Sequence, residues 1–328
     1  MDKTVKEQYI KRAEARIDGK LRAICASTGL RADSEGVVFT RGQLENLEET
    51  IFEVLFRDNQ EAFKLLPLRP RFEPGWQSYS YRMETAVGTA KLMSHEGEDR
   101  PLIDTYLDKS TVDIVEFGAS YNYYVGTTEA AAIMDYDHVA AKARAAAEAI
   151  VRAHNTYLLT GDTASGATGF LNSASVTDAT LVDGDWTSFT AANAFDDVAA
   201  VINAVSNQSL GRHNVTDVAL SLYLYNKIAS TRIDTTSGQS ILDALKGAFP
   251  GVSFHRVAAC TDAGDSSKDL VVAYEKNADR VEAVVPVLFD EAAPDKEGFS
   301  YKVACRGRSA GTVIRYPLSM AYGNITVP

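Results

Sequence analysis

The chain has 328 residues, 45% of them hydrophobic and 23% charged, the profile of a soluble folded protein, which excludes wholesale disorder. At roughly 100–200 residues per domain, such a length predicts two packed units or so, with enough buried surface to need no disulfide or metal staple. With 33 Lys and Arg against 44 Asp and Glu the net charge is −11, which excludes tight, unspecific phosphate binding by the whole surface.

Cys25, Cys260 and Cys305 stand at wide spacings without a C-x-x-C, and predict small buried hydrophobes in a reducing compartment. No apolar run reaches the roughly 18–20 residues that cross a bilayer, and the polar start MDKTVKEQYIKRAEAR lacks the apolar segment of a signal peptide. Folding in the cytoplasm without a membrane anchor is the expectation.

Along the chain, Val5, Tyr9, Ile10, Ala13, Ile17 and Leu21 recur at helical spacing among charges. The first 24 residues hold seven Lys and Arg against four Asp and Glu, a local basic excess in an acidic chain. It fits either a solvated helix face or an arm with its own partner. Leu44, Leu47, Ile51, Leu55 and Phe56 predict a second helix within 42–63, and Pro67, Pro70 and Pro74 forbid its continuation.

From Gly75 the period becomes two. Trp76, Ser78, Ser80 and Arg82 fall on one face, and Gln77, Tyr79, Tyr81 and Met83 on the other. Two long strands, about 76–92 and 105–125, are expected around a charged tip, HEGEDRP, at 95–101. A lone two-stranded hairpin is marginal in water, and its aromatics exceed what it can shelter, so some must pack on the body or on another subunit.

A helix from about Tyr136 to Leu159 follows, N-capped by Asp135 and driven by eight alanines between 140 and 153. At 1.5 Å per residue it is about 36 Å long. Its stripe, Val139, Ala143, Ala146, Ile150, Ala153 and Tyr157, is narrow and small, suited to close packing on a sheet as a structural spine. Gly161 is placed to end it, and the loop GDTASGATGFLN follows. Residues 191–206, 218–230 and 238–249 read as helical or mixed, with strands near 252–260, 269–275, 280–289, 299–305 and 311–327. Helices mixed with mainly antiparallel strands predict an α+β fold class.

Signals of chemistry are weak. The Gly161–Gly166 loop follows a helix instead of opening one and has no Lys, so it is not a phosphate loop. His95, His138, His154, His213 and His255 lack metal-site spacing and read as surface or packing histidines. No Gly-x-Ser-x-Gly elbow is present, and acidic pairs such as Asp183/Asp185 and Asp262/Asp265 lack an EF-hand pattern and read as solvated loop charges. No catalytic residue, cofactor or metal is predicted, and the projecting elements point to assembly.

Residues 155–172, NTYLLTGDTASGATGFLN, together with the order of helical arm, extended hairpin, spine helix, mixed domain and return strand, resemble the major capsid protein of tailed bacteriophages. This is the Hong Kong 97 fold, which encapsulin compartments share. Residues 305–328 are similar to the closing strands of one capsid subfamily. The resemblance implies an N-terminal arm at 1–70, an extended loop at 71–125, a peripheral domain with the spine helix at 126–189, an axial domain at 190–305, and return strands of the peripheral domain at 306–328. It further implies hexamers and pentamers forming an icosahedral shell, assembled in the host cytoplasm around double-stranded DNA that the shell contacts weakly. A scaffold segment ahead of the arm is not expected, so a separate scaffold or none is implied, with portal and decoration proteins as further candidate partners. Trp76, Tyr79, Tyr81, Glu96, Glu98 and Arg100 are the implied intersubunit contacts, and Lys91 reads as a solvated strand lysine. Two other readings stay open: an encapsulin-like compartment, and a small-molecule enzyme, which would require a deep polar pocket between two α+β units.

Overall fold

The computed structural model describes residues 60–69, 73, 75–91, 102–128, 138–162, 166–233 and 238–328. Helix α1 (Glu61–Leu65) precedes strands β1 (Ser78–Val87), β2 (Asp104–Asp113) and β3 (Val115–Tyr124). The spine helix α2 (His138–Thr160) leads to the two-residue strands β4 (Gly161–Asp162), β5 (Ala167–Thr168) and β6 (Thr177–Asp178). Helix α3 (Ala191–Gln208), strand β7 (Asp217–Leu220), and helices α4 (Leu222–Ser230) and α5 (Ile241–Ala248) follow. The remaining strands are β8 (Ser253–Arg256), β9 (Asp269–Tyr274), β10 (Val281–Val284), β11 (Val287–Glu291), β12 (Asp295–Glu297), β13 (Ser300–Ser309), β14 (Gly311–Ile314) and β15 (Met320–Ile325).

The small stripe of the spine has the use expected of it. Strand β13 pairs antiparallel with β3 over ten residues, from Val115 opposite Ser309 to Tyr124 opposite Ser300, and β11 and β12 flank its other edge. Ala146 and Ile150 of the spine bury with Val303 and Cys305 on this sheet, and Ala119, Tyr121 and Tyr123 pack beside them. Small side chains let helix and sheet approach closely. Cys260 and Cys305 are buried thiols outside any disulfide, as expected of small hydrophobes; Cys25 lies outside the described residues.

The spine exit is held by its own motif. Gly161 takes a left-handed φ of +67°, and a Cβ there would stand 2.1 Å from the Ala167 carbonyl oxygen. The chain then folds back on the helix end: Phe170 N–H donates to the Leu158 carbonyl at 3.0 Å and Leu171 N–H to that of Leu159 at 2.9 Å. Asn172 accepts from Gly169 N–H at 2.7 Å and donates to the Thr160 carbonyl at 2.6 Å, satisfying groups the helix terminus leaves open.

A second sheet has the order β6-β15-β9-β7-β8. Its central strands are apolar on both faces, and α3 buries Val198, Val201, Ile202 and Val205 against Leu220, Val271, Ala321 and Ile325. Thr190 caps α3 by accepting from Asn193 N–H, and Ser221 and Ser240 cap α4 and α5 in the same way.

One expectation needs correction, and the structure places two further segments. The strand expected over 105–125 is two strands, because Ile114 N–H turns to the Gln77 carbonyl at 2.8 Å and closes the hairpin, after which β3 joins β13 instead of β1. The return strands expected at 306–328 divide. Part of β13 and all of β14 lie on the side of the spine and hairpin, whereas β15 pairs with β9 from Met320 opposite Tyr274 to Ile325 opposite Asp269, inside the second sheet. A strand apolar on both faces is stable only where both faces are covered. Finally, the end of the expected arm is core: Ala62, Leu65 and Leu66 are buried with Leu158, Leu159 and Phe170. Glu61 there accepts from Ala258 N–H at 2.8 Å and Ala259 N–H at 3.0 Å, and Tyr274 donates to the Leu65 carbonyl at 2.8 Å. The basic stretch 1–24, most of the helix expected within 42–63, and the Asp135 cap lie outside the described residues.

Candidate functional site

Strands β1 and β2 form a ribbon with the register Ser78 opposite Asp113 through Val87 opposite Asp104. At 3.3 Å per residue its paired part is about 33 Å long. Alternation puts Tyr79, Tyr81, Met83 and Val87 on one face with Tyr106 and Val112, and Ser78, Ser80, Arg82 and Glu84 on the other with Lys109 and Thr111. The apolar face starts in the body. Tyr79 buries with Val284, Ala310 and Val313, and Tyr81, Val112 and Ile114 pack against them. Farther out both faces are open to solvent: Val87 and Tyr106 on the apolar face and Leu107 on the other are more than half exposed, as is Ile103 beyond the paired part, where Leu102 is 93% exposed.

The root is fastened by a buried polar cluster. Tyr79 donates to Glu282 Oε1 at 3.1 Å and accepts from Arg315 at 2.7 Å and Arg69 at 3.2 Å. Arg315 also donates to Glu282 Oε1, Arg69 Nε stands 3.3 Å from Oε2, and Glu282 is fully buried. Burial opposes the charge on Arg315, but the hydrogen bond and attraction of Glu282 outweigh it and hold the guanidinium above its ordinary pKa. Arg315 also lies 5.6 Å over the Tyr81 ring. At the entry to β1, Arg308 donates to the Trp76 carbonyl at 2.8 Å. The base of the ribbon is thereby rigid while its far half is uncovered.

Of the residues singled out in the sequence, Trp76 is 47% exposed at the root, and Tyr81 is partly buried beside it. Tyr79, at the root, is buried and its hydroxyl is bonded to Glu282 of its own chain. Glu96, Glu98 and Arg100 lie outside the described residues, and Lys91 is exposed. Sequence reasoning missed Arg69, Glu282 and Arg315. The signal was available: Glu282 interrupts the apolar run Val-Glu-Ala-Val, and a charge inside a buried strand demands a partner.

Other depressions lie elsewhere on the described residues. One of about 610 Å³ on the face of the β3–β13 sheet away from the spine is lined by Gly118, Ser120 and Ala304, beside an Arg306–Asp290 ion pair at 2.8 Å. Another of about 280 Å³ touches His255, whose Nε2 is 2.7 Å from Asp217 Oδ1, but among the described residues its lining holds no serine, threonine or cysteine.

The model of the family described as major capsid protein matches residues 88–325. No curated protein matches the chain. Among solved structures, the capsid of the Myoviridae phage XM1 is similar with a TM-score of 0.78 and 17% identity, covering 89% of this chain and all of that one. The capsid of a native GTA particle is similar with a TM-score of 0.63 and 13% identity, over 90% of this chain and all of that one. The virus-like particle from Pyrococcus furiosus has a TM-score of 0.50 and 15% identity, over 79% of this chain and 90% of that one. A ribbon rooted in the body and uncovered beyond it, a spine packed on its sheet, and a family match over most of the length lead to one conclusion: the chain belongs to the major capsid protein family, with the Hong Kong 97 fold and a shell-forming role.

Proposed function

We propose that the chain is the head protein of a tailed phage, assembling as hexamers and pentamers into an icosahedral shell around double-stranded DNA, with no catalytic activity. One observation carries the copy-to-copy part of this reading: the ribbon is clamped at its root by Glu282 and exposes Leu102, Ile103, Tyr106 and Leu107 where its own body cannot cover them. A second copy is the natural cover, with Trp76 and Tyr81 near the root and Glu96, Glu98 and Arg100 toward the tip as contacts. In this reading the extended loop expected at 71–125 ends at Asp113, with the spine and the β3–β13 sheet as the peripheral domain and the five-stranded sheet with α3–α5 as the axial domain.

Shell assembly takes place in the host cytoplasm, with scaffolding, portal and decoration proteins as separate partners. The charge of −11 suits packaged DNA held loosely, because a basic inner wall would bind the genome through counterion release and impede packing and ejection. The test is deletion of about residues 84–104. Circular dichroism should show the folded body retained, and electron microscopy should show shells lost; shells assembling without the ribbon would overturn its role. Adjacent terminase, portal and tail genes agree with the phage reading, and an adjacent cargo enzyme would replace it with a compartment.

A further inference from the structure

Strand β3 pairs with β13 along one edge, and among the described residues no strand lies along its other edge. In an antiparallel ladder the backbone groups of alternate residues face opposite edges. Val125 N–H donates to the Phe299 carbonyl in continuation of the β3–β13 register, so odd-numbered residues face β13 and even-numbered ones face outward. Both ends of this outer edge are closed. Ile114 N–H donates to Gln77, whereas the Asn122 carbonyl accepts from Lys142 Nζ at 2.8 Å and that of Tyr124 from the Thr127 hydroxyl at 2.7 Å. Between them, the backbone N–H and carbonyl groups of Glu116, Gly118 and Ser120 bond to nothing among the described residues. The open window is about 17 Å long.

Proteins blunt exposed edges with charges, prolines or bulges. Here Glu116 is the one charged residue of the window, it turns to Arg308 at 3.6 Å, and no proline or bulge interrupts the register of β3 with β13. The two faces beside the window differ. On the spine side lies a crevice of about 430 Å³ walled by Phe117, Ala149, Ala153 and Tyr157, with Arg152 and Thr156 beside them. Its described lining includes no residue of β13, so it opens on the outer side of β3. On the opposite face a Cβ at Gly118 would meet nothing within 4 Å, and the exposed Glu116 and Ser120 flank that gap.

We propose that this window docks an extended segment of a separate protein as an added strand, with one large apolar side chain opposite Phe117 and polar ones on either side. Alternation along the segment turns the first into the crevice and its neighbours over the gap at Gly118. The open backbone groups hold the segment, and the crevice selects it. A second β3 fits poorly, because pairing about Gly118 would set Ala119 opposite Phe117, and Ala119 already packs beneath its own spine. Every described strand of this chain has a partner, so a segment that gains from the open groups comes from elsewhere. The inference does not rest on the shell-forming reading.

The test is hydrogen exchange on the full chain with synthetic eight-residue peptides, built of threonine and serine save for one central Phe, Leu or Trp. In the chain alone, the amides of Glu116, Gly118 and Ser120 should exchange at least about a hundredfold faster than those of Phe117, Ala119 and Tyr121. At least one peptide should slow all of the fast amides, and a central Asp or N-methylation of the peptide backbone should abolish the effect. Ser120→Pro should keep the melting temperature of the unaltered chain, since the lost N–H bonds nothing, yet weaken the peptide by at least about tenfold. Ala149→Trp, on the exposed side of the spine, should fill the crevice and weaken it likewise, which keeps the comparison available if the proline variant does not fold. Slow exchange in the unassembled chain, protection that appears when the chain assembles alone, or no protection by any peptide would overturn the proposal. So would protection that survives N-methylation, or undiminished binding to Ala149→Trp.

Discussion

His154 packs directly on the Gly307 backbone: a Cβ at residue 307 would approach His154 Nε2 to 2.3 Å and Ile150 Cγ2 to 2.7 Å. The imidazole is fully buried between spine and sheet, edge-on to Phe117 at 4.9 Å, and among the described residues its nitrogens make no hydrogen bond. Gly307→Ala should therefore force the spine off its sheet and lower stability by about 1–3 kcal/mol. A thermal melt that does not move would mean that helix and sheet are less tightly apposed than this contact requires.

The same histidine confers a pH dependence. Burial lowers its pKa from 6.5 to about 4. The unfolded chain binds a proton that the folded one refuses, so this contribution is complete above pH 6.5 and is lost as pH falls from 6.5 towards 4. The full loss is about 3 kcal/mol. Urea unfolding across that window should slope downward with acidification, and His154→Leu should flatten the slope; a slope unchanged by the substitution assigns it elsewhere.

At the ribbon root, Tyr79→Phe removes a hydroxyl shared by Glu282, Arg315 and Arg69. It should cost about 1–3 kcal/mol. Arg315→Met should cost more, about 3–5 kcal/mol, because it strips a fully buried carboxylate of its main partner. Chemical denaturation reads both, and the ranking is the informative outcome: equal losses would mean that Arg69 alone satisfies Glu282.

Asp197 accepts from three consecutive backbone N–H groups and from Trp186 Nε1 at 3.0 Å. Asp197→Ala leaves four donors without their acceptor and should lower stability by at least about 3 kcal/mol, with greater loss than Asp197→Asn, which retains one oxygen. Hydrogen exchange at Val182, Asp183 and Gly184 should accelerate in both variants. Protection that survives in the alanine variant would show that the loop is held by other contacts.

Local features were legible along the chain. Alanine content over 140–153 marks the spine, the period of two from Gly75 marks the ribbon and sorts Tyr79 and Tyr81 onto one face, and Gly161 marks the helix end. Each is a property of neighbouring residues: helix propensity, alternation along a strand, and a left-handed turn act within a few positions of the chain.

The neighbours of each strand were settled only by the tertiary structure. A run such as 105–125 offers backbone donors and acceptors that any edge can satisfy, and burial beneath the spine assigned Val115–Tyr124 to Ser300–Ser309. Burial likewise drew Met320–Ile325 into the second sheet, turned Tyr79 inward, and gave the acids Asp197 and Glu282 the donors that let them stay inside.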